Sequence, residues 1–219
     1  MPEDVTIARL TTGAELRRTG PASAPDAVVC VNGGQGAAVP GTWSATLEWL
    51  VGHLAPRFPR LAFAEVKYRI KSWRALDSCE ADTRAAIAAT GAPRTLLLGF
   101  SMGGIVATLS SDAPGVDAVL GLAPWFPDRV PLDRLRGKRL DVLHGALDRW
   151  LPGVPGVHPA SSRRGFERAL AAGAEGTYRL IPGALHGIAL RSRVGLVPLP
   201  RAHRWADLVA DRIDAWVAA

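Results

Sequence analysis

Cysteine and long apolar runs are both scarce in this 219-residue sequence. The two cysteines, Cys30 and Cys79, fall in a predicted strand and a predicted helix, so we interpret them as small buried groups and exclude a disulfide framework. No apolar run approaches the roughly 20 residues that a membrane span needs, so we expect no membrane partner. The absence of a disulfide framework favours a cytoplasmic protein. The acidic start at Glu3 and Asp4 lacks the basic and apolar regions of a signal peptide, so we expect none.

Lysine is also scarce: the chain has 3 lysines and 23 arginines, and its net charge is +6. Basic clusters occur over residues 134–139 and 163–168. These clusters are scattered, and neither a nucleic-acid motif nor regularly spaced aromatic residues accompany them. We therefore interpret them as a solvated arginine-rich surface and expect no nucleic-acid partner.

Strand-like apolar runs alternate with helical patterns along the whole chain, and no linker or repeat interrupts them. The pattern predicts strands over residues 27–31, 61–68, 94–98, 116–122, 140–144 and 177–181, with 5–10 as a candidate edge strand. It predicts helices over residues 42–58, 76–90, 102–110, 161–172 and 204–217. Such alternation is typical of an α/β protein with a doubly wound, mostly parallel sheet and helices on both faces. We expect residues 1–219 to form one domain.

The most informative motif surrounds Ser101, in the hexapeptide Gly-Phe-Ser-Met-Gly-Gly at residues 99–104. A Gly-x-Ser-x-Gly motif between a buried strand and a helix predicts a nucleophile elbow, which lifts the serine hydroxyl clear of the sheet. Gly104 would allow the following helix to pack close to neighbouring strands. The alternative interpretation is an ordinary tight turn with a buried serine.

A serine hydroxyl needs a base to take its proton, and the base needs a carboxylate to orient it. Ligand sites of parallel sheets lie beyond the carboxyl ends of the strands, so these partners should follow strands directly. His186 comes five residues after the last predicted strand and is the preferred base. The four other histidines fit that position less well: His53, His144, His158 and His203.

Asp148 is the preferred acid because it follows the predicted strand over residues 140–144. Asp128 is its main rival, since it follows the preceding predicted strand in a polar segment. Asp117 and Asp141 lie near strand starts and would face the wrong edge of the sheet. The resulting order of serine, aspartate and histidine is the one that the elbow motif predicts.

An oxyanion hole requires two backbone N–H donors. Met102, directly after the serine, should supply one. The glycine-rich loop over residues 32–36 should supply the other, from Gly34 or in its place Gln35. A phosphate-binding loop is excluded, since no Gly-Lys-Ser/Thr follows and Val39 stands where a third glycine would be needed. A flexible turn remains an alternative interpretation.

These segments resemble the α/β-hydrolase superfamily over roughly residues 27–219. Ser101 in Gly-Phe-Ser-Met-Gly-Gly, Asp148 in His-Gly-x-x-Asp and His186 in Gly-x-x-His-Gly each match a family segment. The resemblance is to the small, lidless bacterial esterases and the dienelactone-hydrolase-like branch. Dienelactone hydrolases carry a cysteine nucleophile, from which Ser101 departs, and Asn32 stands where many members carry histidine.

The resemblance implies a serine hydrolase that cleaves small carboxylic esters through an acyl-enzyme, with no cofactor and no metal ion. It leaves open a non-hydrolytic binding protein on the same scaffold, and an acyltransferase or thioesterase that uses the same residues. The sequence leaves the oligomeric state open.

The substrate pocket should be an open cleft, because residues 123–139 are too short for a full cap domain. Trp125 follows a predicted strand end and should line the cleft, together with Gln35. Trp43 and Trp150 are weaker candidates for the same role.

Overall fold

A computed structural model describes residues 5–149 and 156–219 of the chain. Its strands are, in chain order, β1 (Val5–Arg9), β2 (Glu15–Thr19), β3 (Asp26–Val31), β4 (Val39–Pro40), β5 (Ala62–Lys67), β6 (Ile70–Lys71), β7 (Arg94–Phe100), β8 (Val116–Leu122), β9 (Arg139–Gly145), β10 (Tyr178–Ile181), β11 (Ala189–Ser192) and β12 (Gly195–Pro198). Its α-helices are α1 (Ala45–Leu54), α2 (Leu76–Thr90), α3 (Gly103–Leu109), α4 (Pro159–Ala171) and α5 (Ala202–Val217). Short 3₁₀ turns cover Ala55–Arg57 and Asp133–Leu135.

One mixed sheet organises the molecule, with the strand order β1-β2-β5-β3-β7-β8-β9-β10. The six strands from β5 to β10 in that order run parallel, whereas β1 and β2 pair antiparallel at one edge. The prediction of a doubly wound, mostly parallel α/β sheet is therefore confirmed. Its parallel strands place all their carboxyl ends along one edge, where a ligand site is expected.

Helices cover both faces of this sheet and bury two separate apolar clusters. On one face α1 and α5 pack against the strands, with Leu50 and Trp205 fully buried. On the other face α2, α3 and α4 pack, with Ile105 and Phe166 buried. Because the central strands are buried on both faces, their sequences are nearly continuous apolar runs. Within the described residues, none of the helices is both long and apolar enough to cross a membrane.

The predicted helices and strands match the observed ones most closely where neighbouring residues mark both ends of the element. The bounds of α2 and β8 agree with the prediction to the residue. Helix α1 is shorter than the helix predicted over residues 42–58. The hydroxyl of Ser44 accepts the N–H of Leu47 at 3.3 Å, and this cap starts the helix at Ala45. Pro56 lacks the N–H that the helix would need there, so α1 ends at Leu54 rather than before Pro59.

Three features of the structure have no counterpart in the sequence prediction. Strand β2 carries two arginines and one buried leucine, Leu16, so its apolar signal is weak. The two-residue strands β4 and β6 are too short for any periodicity. The hairpin of β11 and β12 is largely exposed, and it supplies a wall beside the site that no insertion after β8 provides.

Candidate active site

Four strand ends position the candidate residues. Ser101 directly follows β7, Asp148 lies three residues after β9, and His186 lies five residues after β10. Gly34 lies in the loop after β3, the neighbour of β7 in the sheet. All four strands are parallel, so these loops meet at the same edge.

The backbone at Ser101 forms a strained turn. Its φ angle is +55°, a left-handed conformation that costs energy in a residue with a side chain. Hydrogen bonds on both sides hold it: the Ser101 N–H donates to the carbonyl of Leu122 at 2.9 Å, and its own carbonyl accepts from the N–H of Trp125 at 2.9 Å. The strand β8 and the segment after it therefore fix the serine in place.

Gly103 shows why the elbow motif needs glycine. A Cβ atom at this position would lie 2.1 Å from the carbonyl oxygen of Val31 in β3. No backbone can accommodate that contact without moving, so only glycine lets α3 begin so close to the sheet. The motif is thus explained by the packing of the helix start against the strand beside it.

Ser101, His186 and Asp148 form a continuous hydrogen-bonded chain. The Nε2 atom of His186 lies 3.0 Å from Oγ of Ser101, and its Nδ1 lies 2.6 Å from Oδ2 of Asp148. The His186 side chain is 15% exposed, whereas that of Asp148 is fully buried. The carboxylate can therefore fix the imidazole from the protein interior while the serine side faces the cleft.

Asp148 is held by two further groups. Its Oδ2 atom also lies 2.9 Å from Nε2 of the buried His144, and its Oδ1 atom accepts the N–H of Val157 at 3.1 Å. Burial acts to raise the pKa of Asp148, but the hydrogen bonds from His144 and His186 outweigh burial and lower it below the ordinary value. The carboxyl group is therefore ionised at neutral pH.

His144 is the contact of Asp148 that the sequence analysis missed. Its Nε2 lies 2.9 Å from the carbonyl oxygen of Val157 as well as 2.9 Å from Asp148. Because a carbonyl can only accept, Nε2 carries a proton, and within the described segments Nδ1 has no partner. The spacing His-Gly-x-x-Asp could have predicted this contact, because a turn from Gly145 to Asp148 brings the two side chains together.

Gly34 and Met102, the residues predicted to supply the oxyanion donors, are in close contact. A Cβ atom on Gly34 would lie 2.1 Å from Sδ of Met102, so glycine lets the loop after β3 approach the elbow. Among the hydrogen bonds of the described residues, none uses the backbone N–H of Gly34 or Met102 as donor. The side chain of Asn32 donates to the carbonyl of Thr42 at 2.7 Å and so anchors this loop.

Two cavities adjoin at Ser101. The larger has a volume of about 480 Å³, is lined in part by His186, Trp43 and Leu190, and lies on the His186 side of the serine. The smaller has a volume of about 300 Å³ and is lined by two tryptophans and by Met102, but among described residues not by His186. Ser101 and Gly34 line both, so the cleft runs across the serine.

The aromatic candidates divide between these cavities. Trp125 lines the smaller cavity and Trp43 the larger. Trp73 also lines the smaller cavity and was not predicted, because its position before α2 carries no distinguishing pattern. Gln35 is not among the described residues lining either cavity, although its carbonyl accepts the N–H of Trp73 at 3.0 Å. Trp150 lies outside the described residues.

The rival candidates are placed elsewhere. Asp128 has a side chain that is 80% exposed and pairs with Arg168 at 3.4 Å. His53 and His203 group with Trp49, against which the ring of His53 stacks at 3.7 Å. The ring of His158 instead caps the start of α4.

This chain is similar to known proteins in its three-dimensional structure. No protein-family model matches the sequence, and no curated protein matches it either. The α/β hydrolase enzyme MGS-M1, from a Medee basin deep-sea metagenome library, is 16% identical with a TM-score of 0.69, covering 98% of this chain and 99% of that chain. Dienelactone hydrolase from Anabaena variabilis is 16% identical with a TM-score of 0.66, covering 96% and 97%.

A third solved structure, an alpha-beta serine hydrolase homologue from Coxiella burnetii, is 12% identical with a TM-score of 0.66 and covers 97% of this chain and 98% of that chain. These matches extend over nearly the whole chain. The protein therefore has the α/β-hydrolase fold, as the resemblance of its motifs implies.

Proposed function

We propose that this protein is a serine hydrolase that cleaves carboxylic esters through a covalent acyl-enzyme. The observation that carries the proposal is the hydrogen-bonded chain from Ser101 through His186 to Asp148, with 3.0 Å and 2.6 Å between the bonded atoms. A buried carboxylate, an imidazole and a half-buried serine at a strained turn are together the arrangement that activates a hydroxyl for attack on a carbonyl.

Acylation begins when Nε2 of His186 takes the proton of the Ser101 hydroxyl. The Oγ atom then forms a bond to the carbonyl carbon of the ester, and the carbonyl oxygen becomes an oxyanion. The backbone N–H groups of Gly34 and Met102 donate to that oxygen. His186 returns the proton to the alkoxy oxygen, the carbon–oxygen bond to the alcohol breaks, and the alcohol leaves.

Deacylation repeats the sequence with water. His186 takes a proton from a water molecule, whose oxygen attacks the carbonyl carbon of the acyl-enzyme. The bond to Oγ breaks, and His186 returns the proton to Ser101 while the carboxylic acid leaves. Throughout, ionised Asp148 accepts the Nδ1–H of His186, which sets the tautomer and stabilises the positively charged imidazole.

The acyl group is expected to be short or compact. The cleft supports this because its smaller cavity, at about 300 Å³, lies at the low end of ligand sites in proteins. We expect turnover of p-nitrophenyl esters to be fastest with short acyl chains. Thioester and amide analogues in the same assay test which acyl bond is preferred, and product analysis separates hydrolysis from acyl transfer.

The proposal is tested by labelling with a fluorophosphonate and by ester turnover in parallel. Ser101→Ala should abolish labelling and lower ester turnover by several orders of magnitude. Ser110→Ala is the control, because that serine lies in the same segment but is fully buried, and its Oγ has no hydrogen-bond partner among the described residues. Absence of both labelling and turnover in the wild-type protein would favour a non-hydrolytic binding protein.

A further inference from the structure

We infer that the two cavities divide the substrate, so that the smaller one receives the acyl group and the larger one receives the alcohol. The inference rests on the proposed function and adds a substrate class to it. The preferred substrates are esters of compact aryl-substituted acids, such as phenylacetic acid, with a bulkier apolar alcohol. The assignment follows from which cavity each reacting group faces.

The first step concerns the leaving oxygen. The alkoxy oxygen must receive its proton from Nε2 of His186 when the carbon–oxygen bond breaks. His186 lines the larger cavity and is not among the described residues that line the smaller one. The alcohol attached to that oxygen therefore lies in the larger cavity.

The second step concerns the other substituents of the reacting carbon. In the tetrahedral intermediate this carbon carries Oγ of Ser101, the alkoxy oxygen, the oxyanion and the acyl chain. The oxyanion points to the N–H groups of Gly34 and Met102. Among the described residues that line the two cavities, Met102 belongs to the smaller cavity and not to the larger. With the alkoxy oxygen directed to His186, the acyl chain enters the smaller cavity.

The chemistry of the smaller cavity defines the acyl group. Trp73 and Trp125 lie with ring centroids 6.4 Å apart and planes inclined by 50°, and both are half-buried. Met102 and Val157 complete the apolar wall, and no charged side chain of the described residues lines this cavity. Tilted aromatic rings and a thioether favour an aromatic guest over a flexible chain. A volume of about 300 Å³ accommodates one ring on a short linker.

The larger cavity has room for the alcohol. Its volume is about 480 Å³, and its apolar walls include Trp43, Leu190 and Leu199. Leu190 belongs to the exposed hairpin strand β11 and is 58% exposed, so the alcohol end of the cleft opens to solvent. A long alkyl chain can therefore extend along this side of the serine.

Two isomeric esters test the assignment. Octyl phenylacetate and benzyl nonanoate contain the same atoms but exchange the positions of the aromatic ring and the alkyl chain. We expect kcat/KM, normalised to the rate of hydroxide-catalysed hydrolysis, to favour octyl phenylacetate by about tenfold or more. Equal values, or a preference for benzyl nonanoate, would overturn the inference while leaving the proposed hydrolase function intact.

Single-turnover kinetics on variants test the same point independently. After acylation the enzyme retains the acyl group and has lost the alcohol, so deacylation senses only the acyl cavity. Trp125→Ala should slow deacylation of the phenylacetyl-enzyme by about tenfold and change that of the acetyl-enzyme little. If Trp125→Ala does not fold, Trp73→Ala serves in its place, with the same expectation.

Leu190→Ala is the matched variant on the alcohol side. It should lower the acylation rate with octyl phenylacetate and leave deacylation of the phenylacetyl-enzyme unchanged. The inference is wrong if Leu190→Ala alters that deacylation and Trp125→Ala does not. Failure of the wild-type protein to hydrolyse any ester, with no phosphonate labelling of Ser101, would instead refute the proposed function together with everything that rests on it.

Discussion

Replacing His144 by phenylalanine isolates the contribution of the second histidine that contacts Asp148. Phenylalanine keeps a planar aromatic ring, somewhat larger than imidazole, in a fully buried site but removes the N–H donor at Nε2. Two acceptors then lose a donor that lies 2.9 Å away: the carbonyl of Val157, and Oδ2 of Asp148, which keeps the bond from His186. The substitution also removes the Nδ1 atom, which has no partner in the part of the chain that the structure describes.

These changes can be weighed against each other. A hydrogen bond to a charged acceptor contributes about 2 kcal/mol, and an unpaired buried carbonyl costs about 1 to 2 kcal/mol. Removal of Nδ1, which has no partner within the described segments, returns about 1 kcal/mol, which leaves a net loss of about 2 to 3 kcal/mol in the free energy of unfolding. For a chain of this size, that loss lowers the melting temperature by about 6 to 9 °C.

The loss should depend on pH in a defined direction. The pKa of Asp148 is lowered by its donors against the opposing effect of burial, so its hydrogen bonds stabilise the fold above the unfolded-state pKa. As the pH falls through the folded-state pKa, that stabilisation is lost. The difference in stability between wild type and His144→Phe should therefore be full at pH 7 and shrink below about pH 4.

Urea denaturation at several pH values measures this difference, and ester turnover measures its effect on the site. We expect kcat to fall by about tenfold with KM little changed, because about 1.4 kcal/mol of lost orientation at Asp148 corresponds to that factor. His144→Gln can place an amide N–H near the position of Nε2 and should recover part of both losses. Wild-type stability and wild-type kcat in His144→Phe would refute a positioning role for this histidine.

Three further predictions follow from contacts described for the sheet and the elbow. Gly103→Ala should fail to give soluble, active protein, because its Cβ would lie 2.1 Å from the carbonyl oxygen of Val31; purification yield and circular dichroism check this. Arg17→Met should destabilise the fold by about 3 to 5 kcal/mol in urea, since it leaves the buried carboxylate of Glu65 without its bidentate partner, and adding Glu65→Gln should restore most of the loss. Burial raises the pKa of Cys79 to about 11, so at pH 8 about one thiol in a thousand is ionised and labelling by a thiol reagent should be negligible until the protein is denatured; rapid labelling of the native protein would contradict the placement of this residue.

The parts of the fold that could be predicted from sequence are those whose signal is local. Apart from Asp117, β8 is an apolar run because both of its faces are buried, and α2 ends just before Gly91, which adopts a left-handed conformation. The bounds of both elements can therefore be predicted from neighbouring residues. β2 is different, because it is stabilised by pairing of Arg17 with Glu65 on β5 across 48 residues of chain. Its sequence alone carries no sign of that partner.

In the candidate site, too, some residues could be predicted from local sequence and others depend on distant contacts. The order Ser101, Asp148, His186 could be predicted because each residue follows a strand, and parallel strands bring their carboxyl ends to one edge. Trp73 could not be predicted, since its place beside Ser101 depends on how the segment before α2 crosses the loop after β3. Contacts made by irregular segments produce no periodic pattern of apolar residues from which they could be predicted.

Val157 ties substrate selection to the machinery that activates the nucleophile. Its backbone N–H and carbonyl bind Asp148 and His144, while its side chain forms part of the wall around the smaller cavity. A substitution of the Val157 side chain can reshape that wall and leave both main-chain hydrogen bonds in place. Insertion or deletion of a residue at this position would instead shift the carboxylate of Asp148. Changes here that alter which acyl group is preferred must therefore be substitutions that preserve the chain length.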